Sequence, residues 1–188
     1  MTGGALRDTT QIEVEDRFIE CWGQIAGLWG VNRSIGRIHA LLYLSPEPIS
    51  SEAITERLRI SHGNCSTSLR ELLTWSVVRR VHRPGERKAL YESEQDPWTW
   101  FHATIRERRR REVVPVLESL SDVRDFASQN LKGARGKTRK ELEESYQRID
   151  RFTNFVEEFV VLIDAFLAAG HGPMGKALRT VAKLVPKK

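Results

Sequence analysis

The side chains with the clearest capacity for chemistry lie between residues 61 and 88. Ser61, Asn64, Thr67, Ser68 and Arg70 fall at helical spacing within the run SHGNCSTSLRELLTW. A helix from His62 to about Trp75 that buries Cys65, Ser66, Leu69, Leu72 and Leu73 turns Asn64, Thr67, Glu71 and Thr74 outward. Ser68 and Arg70 then occupy its flanks. Such a face is short and rich in hydrogen-bonding groups, which suits the edges of nucleic-acid bases. Asn pairs with adenine through two bonds, Thr meets a thymine methyl, and Arg suits guanine or a phosphate. Free amides at the start of the helix, from Ser61 to Asn64, can take a phosphate as well. An ordinary solvated polar face would use the same residues, so the surrounding unit has to decide.

The next candidates are Arg83, Arg87 and Lys88, which flank the Pro84-Gly85 turn. Long cations at a hairpin tip reach a minor groove or a phosphate backbone, and Arg79 and Arg80 add charge nearby. A charged tip is also a common solvated turn. The five arginines within residues 106–111 differ, because consecutive positions wrap around a helix and cannot all face one duplex. Solvation and ion pairs with Glu107 and Glu112 are the plainer reading there.

Five tryptophans, Trp22, Trp29, Trp75, Trp98 and Trp100, are many for this length. Aromatic faces can cage a quaternary ammonium by cation–π attraction, and Trp22 with Trp29 are the candidates for such a ligand. Both fall on an apolar helical stripe, where an aromatic ring also serves as core. His62-x-x-Cys65 has ligand-like residue types but no second pair, and its Cys65 points inward, so no metal site is expected. Cys21 at the edge of an apolar stripe reads as a small hydrophobe, with redox sensing as the alternative. No glycine-rich phosphate loop, nucleophile elbow or paired-carboxylate spacing is present, so neither catalysis nor a cofactor is expected.

The chain has 188 residues, 40% hydrophobic and 29% charged, a composition with enough apolar material for a core. No run approaches the ~18 apolar residues of a membrane span, and MTGGALRDTTQIEVED lacks the pattern of a secretory signal. Two unrelated cysteines point away from a disulfide framework and toward a reducing cytoplasm. The net charge is +5, which permits a polyanionic partner without demanding one. Its distribution is more telling. Residues 1–50 carry four basic side chains against six acidic, whereas residues 57–92 carry eight against three.

Several elements must position these groups. Val14, Phe18, Trp22, Ile25 and Trp29 step by helical intervals and predict a first helix; Ile35, Ile38, Leu41 and Leu42 predict a second, stopped by Pro46 and Pro48. Ser50 or Ser51 caps a short helix with Ala53, Ile54 and Leu58 inward, and Ser61 caps the next after a tight turn. Residues 77–82 and 88–92 read as the two strands of a hairpin. The order helix, turn, helix, hairpin is that of a winged helix-turn-helix. Asp96-Pro97 opens a further helix, which Pro115 should kink or break before it continues through Val116, Leu120 and Val123. Thr138 to Glu141 fits a capping box for a last helix of about 30 residues, ~45 Å long. That helix carries a heptad-like seam of Leu142, Ile149, Val156 and Ile163 with Ser145, Phe152, Phe159 and Phe166. A short basic tail with Met174, Leu178, Val181 and Val185 follows.

The segment GRIHALLYLSPEPISSEAITERLRISHGNCSTSLRELLTWSVVRRVHRPGERKALYE resembles the MarR superfamily, and within it the GbsR-like branch of transcriptional regulators. The likeness rests on GR-I before the apolar helix, S-x-GN-x-S after the tight turn, LREL-x-x-W, the RRV strand and the P-G-E-R-K wing. The following D-P-W-x-W-F and RRRREVVPVLESL extend it, so that it covers roughly residues 12–125. One departure is Ser76, where that pattern has glycine, which puts the turn into the wing in question. The resemblance implies a homodimer held by N- and C-terminal helices on a partly palindromic operator. It also implies control of an adjacent gene, often one for osmoprotectant uptake or synthesis, which favours choline or glycine betaine as an effector.

The expected protein is therefore mostly α. Residues 34–95 form a winged helix-turn-helix with a two-stranded β wing, residues 1–33 a dimerisation helix, and residues 96–188 a helical linker and dimerisation region. Phe18, Trp22, Leu142, Ile149, Phe152, Val156, Phe159, Ile163 and Phe166 are the candidate dimer contacts. The expected function is a cytoplasmic, repressor-type regulator of double-stranded DNA without contact to membrane. A protein–protein adaptor on the same fold is the alternative.

Overall fold

The computed structural model describes residues 9–85, 88–170, 175 and 180. Arg87 of the wing and the tail positions Met174, Leu178, Val181 and Val185 lie outside the described residues. The protein folds as two compact units, divided between Ala103 and Thr104.

The first unit contains α1 (Thr9–Leu28), α2 (Arg33–Leu44), β1 (Ile49–Ser50), α3 (Ser51–Leu58), α4 (His62–Thr74), β2 (Val78–Val81) and β3 (Leu90–Ser93). It also holds the start of α5 (Pro97–Arg108). Side-chain caps set the helix starts. The Asn32 carboxamide accepts from the Ser34 amide at 2.8 Å. The Ser50 hydroxyl accepts from Ala53 and that of Ser61 from Asn64, as the sequence leads one to expect. Asp96 accepts from the Thr99 amide at 3.0 Å, with Pro97 first in α5. Between α3 and α4 the chain turns through Arg59 at φ 53°, and after α4 through Ser76 at φ 58°. Ser76 thus adopts the left-handed conformation that glycine takes at no steric cost, so the departure from the family pattern leaves the turn intact but strained.

Ile38, Leu41, Leu42, Ile54, Leu58, Cys65, Leu69, Leu72, Val77, Val78 and Tyr91 close the core of this unit, joined by Ile19 of α1. The sheet differs from the expected two-stranded wing. It has three strands in the order β1-β3-β2, all antiparallel, with Ile49 opposite Tyr91 and Val78 opposite Ser93. β1 is only two residues long, too short to show any alternation in the sequence. Helix α1 also packs differently from its apolar stripe. It meets α2 through Ile19 and Gly23, and a Cβ on Gly36 would sit 2.6 Å from that of Ala26 and 3.0 Å from the Trp22 carbonyl oxygen. Val14, Phe18 and Trp29 remain exposed.

The second unit is built from a single π turn at Arg109–Val113, α6 (Val114–Leu131) and α7 (Gly136–Ala169). The Val114 amide bonds the Arg109 carbonyl five residues back. The widened turn gives Pro115, which lacks an amide hydrogen and crowds the carbonyl four residues earlier, the room it needs without a break. Helices α6 and α7 run antiparallel, with Arg124 beside Asp150 and Glu157, and Arg109 beside Asp164.

Helix α7 begins earlier than the capping box predicts. Gly136 at φ +57° turns the chain in after Arg135, so Thr138 lies within the first turn and caps nothing. Within the single chain the expected seam is divided. Leu142, Ile149, Val156 and Ile163 are part-buried, beside Tyr146, Thr153, Val160 and Leu167. Ser145, Phe152 and Phe159 are exposed, and Phe166 is part-buried. Two apolar stripes lie side by side on α7, and the hairpin uses the one with smaller side chains, which lets α6 approach.

Candidate nucleic-acid interface and an aromatic cavity

Helix α4 seats Cys65, Ser68, Leu69 and Leu72 inward, at spacings of three, one and three residues. This rotates the helix slightly from the expected orientation and corrects three positions. Ser66, expected inside, is exposed. Ser68, expected on the flank, is buried and donates its hydroxyl to Asn64 Oδ1 at 3.2 Å. Asn64 is part-buried and donates Nδ2 to the Ser34 hydroxyl at 2.8 Å. Asn64 and Ser68 therefore tie α4 to the start of α2. The outward face of α4 is formed by His62, Gly63, Ser66, Thr67, Arg70 and Thr74, with Ser61 at its tip.

Between α4 and the sheet runs a groove of about 400 Å³, whose walls include Ser51, His62, Ser66, Arg70, Arg80 and Tyr91. Strand alternation explains why Arg80 contributes and Arg79 does not. Arg80 lies opposite Tyr91, its guanidinium 5.7 Å from the ring centroid and Nη2 donating to the phenol oxygen at 3.2 Å. Arg79 points to the other face and pairs with Glu92, which pushes the guanidinium further toward its charged form. The groove thus presents two guanidinium groups, an imidazole and hydroxyls along α4, whose N-terminal end Ser61 caps. His62, Ser66 and Arg80 were not singled out as contacts by the sequence; the β-alternation of Arg79 and Arg80 was the available signal for the last.

The wing cations have acidic neighbours. Arg83 pairs with Glu47, and Lys88 Nζ lies 3.4 Å from Glu52. The Glu52 carboxyl is held down at about 2, first by its own backbone amide, then by the Ser50 hydroxyl, with Lys88 adding to the effect. All four side chains are exposed, so these pairs are worth little to stability. Of the arginine run, Arg108 pairs with Glu112, Arg110 with Glu107, and Arg109 with Asp164. Ion pairing accounts for these three.

A second feature of the first unit is a cavity of about 210 Å³ lined by Phe18, Trp22, His39, Tyr43, Trp100 and their neighbours. Trp22 and Trp100 meet edge to face at 5.4 Å, and His39 meets Trp100 in the same manner at 5.4 Å. The indole Nε1 of Trp22 donates to His39 Nδ1 at 3.1 Å. Burial lowers His39 to about 4, so its imidazole is neutral at ordinary pH. Trp22 falls in this cluster, but Trp29, its expected companion, is half exposed beyond the end of α1, two helical turns away. Trp100 takes its place. Cys65 is buried and burial pushes its thiol up, which makes it inert, while Cys21 is exposed. Among the described residues no three His, Cys, Asp or Glu side chains gather as metal ligands would. No described helix is long and apolar enough to cross a membrane.

No family model matches this chain. It is similar to three curated proteins of Bacillus subtilis strain 168. The protein named "Putative HTH-type transcriptional regulator YvaV" is 28% identical over 120 residues, 56% of this chain and 68% of that protein. "HTH-type transcriptional repressor OpcR" is 26% identical over 46% of this chain and 47% of its own length. "HTH-type transcriptional repressor GbsR" is 26% identical over 54% of this chain and 56% of its own length. The chain thus spans only about half the length of the two named repressors. A solved structure described as a transcriptional regulator is 23% identical, with TM-score 0.45, over 81% of this chain and 99% of that one, too loose a likeness to carry an argument. The relatives are transcriptional regulators of the helix-turn-helix type, a non-enzymatic class.

Proposed function

We propose that this chain is a sequence-specific, double-stranded DNA-binding transcriptional regulator of the GbsR-like branch of the MarR superfamily. It is not an enzyme. The observation that carries the reading is the outward face of α4, with Thr67 and Ser66 at its centre and Arg70 facing Arg80 across the adjacent groove. In this reading α4 enters a major groove, Thr67 and Ser66 meet base edges, and Arg70, Arg80 and the α4 N-terminus hold phosphates. Arg83 and Lys88 of the wing exchange their acidic neighbours for the DNA backbone, and Arg87 adds a further cation to that contact. Asn64 and Ser68 act from behind by fixing how far α4 projects.

The protein works as a homodimer in the cytoplasm, with residues 34–95 reading DNA and the segments 1–33 and 96–188 supplying dimer contacts. Support comes from apolar side chains that the described residues leave exposed: Val14 and Phe18 on α1, Val123 and Phe126 on α6, and Phe152, Phe155, Phe159 and Leu162 on α7. Operator half-sites should then lie one helical turn apart, ~10 base pairs, or a multiple of that. Regulation is repressive and is linked to osmoprotectants, with choline or glycine betaine held in the aromatic cavity around Trp22 and Trp100.

Fluorescence anisotropy on DNA from upstream of the protein's own gene tests the reading, with scrambled DNA as control and salt varied. Binding to the upstream DNA that exceeds the control at every salt, at two chains per site, is the expected result. Equal and steeply salt-dependent binding to both would show backbone affinity alone. An absence of binding at low salt would make the fold an adaptor between proteins.

A further inference from the structure

Arg80 is held in a way that the cations around it are not. Its register partner on β3 is Tyr91, a buried residue of the first unit's core. The guanidinium lies 5.7 Å from the centroid of that ring, and its Nη2 donates to the phenol oxygen at 3.2 Å. Ring face and hydroxyl thus fix a long, exposed side chain against a rigid platform. Among the described residues no carboxylate pairs with Arg80, whereas Arg79 is taken by Glu92, Arg83 by Glu47 and Lys88 by Glu52.

The surroundings narrow what such a group could meet. Arg70 of α4 lines the same groove, and the described lining holds no carboxylate to compete for either guanidinium. Two cations left without acidic partners in one groove suit an anion. Arg80 stands on β2 beside α4, not on its outward face. When a helix enters a major groove, the elements flanking it meet the sugar–phosphate backbone, not base edges.

Building on the proposed DNA-binding role of α4, we infer that Tyr91 is a positioning residue for DNA binding and acts through Arg80. One N–H of the guanidinium is spent on the phenol oxygen, which leaves the rest of the fork for a backbone phosphate. Ordering a long side chain on binding weakens an interface, and Tyr91 imposes that order before DNA arrives. Tyr91 itself makes no contact with DNA in this arrangement. Its ring supports Arg80 from the core, and its hydroxyl sets the direction of the fork.

Anisotropy titrations of the full chain on DNA from upstream of its own gene and on scrambled DNA, each across a salt series, test this. Arg80→Ala should weaken binding to both and make the fall of log affinity with log salt shallower by about one per chain. Tyr91→Phe keeps a ring in the core and removes only the hydroxyl. It should weaken both about fivefold with the salt slope unchanged, and should have no further effect in the Arg80→Ala background. Arg80→Lys keeps the charge and loses the planar fork, so it should fall as far as Tyr91→Phe. If the phenylalanine variant does not fold, the lysine variant decides. Equal losses from Tyr91→Phe with and without Arg80 would overturn the positioning role, because the tyrosine would then act through the fold alone. An Arg80→Lys variant as tight as wild type would overturn it too. An unchanged salt slope in Arg80→Ala would mean that Arg80 meets no phosphate, and would overturn the inference while α4 still binds DNA. Failure of the unaltered protein to bind either DNA would remove the DNA-binding reading itself and this inference with it.

Discussion

The two units of this chain treat their apolar surface in opposite ways. Up to Ala103, four helices and a small sheet enclose Ile38, Ile54, Leu72 and Val77 almost completely, within one chain. In the second unit, Ala127 of α6 and Thr153 and Val160 of α7 are buried, whereas Val116, Val123, Phe126, Phe152, Phe155, Phe159, Val161 and Leu162 are about half exposed or more. The same amphipathic grammar thus has two outcomes. A third layer closes the first unit, whereas the described residues of the second leave one face of the two-helix hairpin uncovered. Surface of that extent and composition is what a second copy would bury in the proposed dimer.

The largest expected effect falls on the open unit. Phe152→Glu with Phe159→Glu should weaken self-association by about 4 kcal/mol, roughly a thousandfold, if each ring is a hot spot. Light scattering after gel filtration reads this directly, and an unchanged dimer would place the interface elsewhere. The closed unit answers to a different change. Ile38→Ala removes a fully buried side chain and should cost about 3 kcal/mol. In calorimetry only the transition of the first unit should move; two transitions shifting together would mean that the units do not close independently.

Acid should also act on the first unit. Burial holds His39 at about 4 against 6.5 for a free histidine. The unfolded chain therefore takes up this proton first as pH falls. Stability from the neutral side chain is complete above pH 6.5 and is lost between 6.5 and 4, by about 3 kcal/mol in total. Urea melts across that range check it, and in His39→Leu this part of the pH dependence should vanish.

Smaller effects separate the two faces of α4. Thr67→Ala should relax the preference at one base pair by about 1 kcal/mol and leave thermal stability unchanged. Asn64→Ala should do the reverse, costing about 1 kcal/mol of stability through the lost bridge to Ser34. Competition binding with single-base operator variants and thermal melts distinguish them. Smallest, and opposite in sign, Ser76→Gly should stabilise the protein by about 0.5 kcal/mol, the relief of its left-handed backbone less the entropy that glycine loses on folding. A lower melting temperature would mean that the serine side chain supports the turn.

Much of this architecture was legible from local chemistry. Ser61 and Asp96 announce helix starts because a short side-chain oxygen satisfies free amides, a mechanism confined to a few neighbouring residues. The seating of α4 was not legible to within one residue. Cys65, Ser66 and Ser68 are all small, so the periodicity leaves the roll of the helix undetermined, and packing against α2 settles it. β1 was hidden by its brevity and Arg80 by its likeness to Arg79. On α7 two adjacent apolar stripes compete, and composition alone does not say which one meets α6. The cavity was half legible, since Trp22 rides on a readable helix while Trp100 reaches it from far along the chain.

The crossing of α1 and α2 sets a manufacturing tolerance for that cavity. At Gly36 the smallest possible side-chain addition would press on the Trp22 carbonyl and the Gly23 backbone, neither of which can swing aside like a side-chain tip. Accommodating a single methyl group would therefore displace α1 as a whole, carrying Phe18 and Trp22 with it. The gauge of the cage is fixed by hydrogen at a position that never touches the cavity. Genetic drift at Gly36 would alter the shape of the aromatic cavity while leaving every ring in its wall chemically intact.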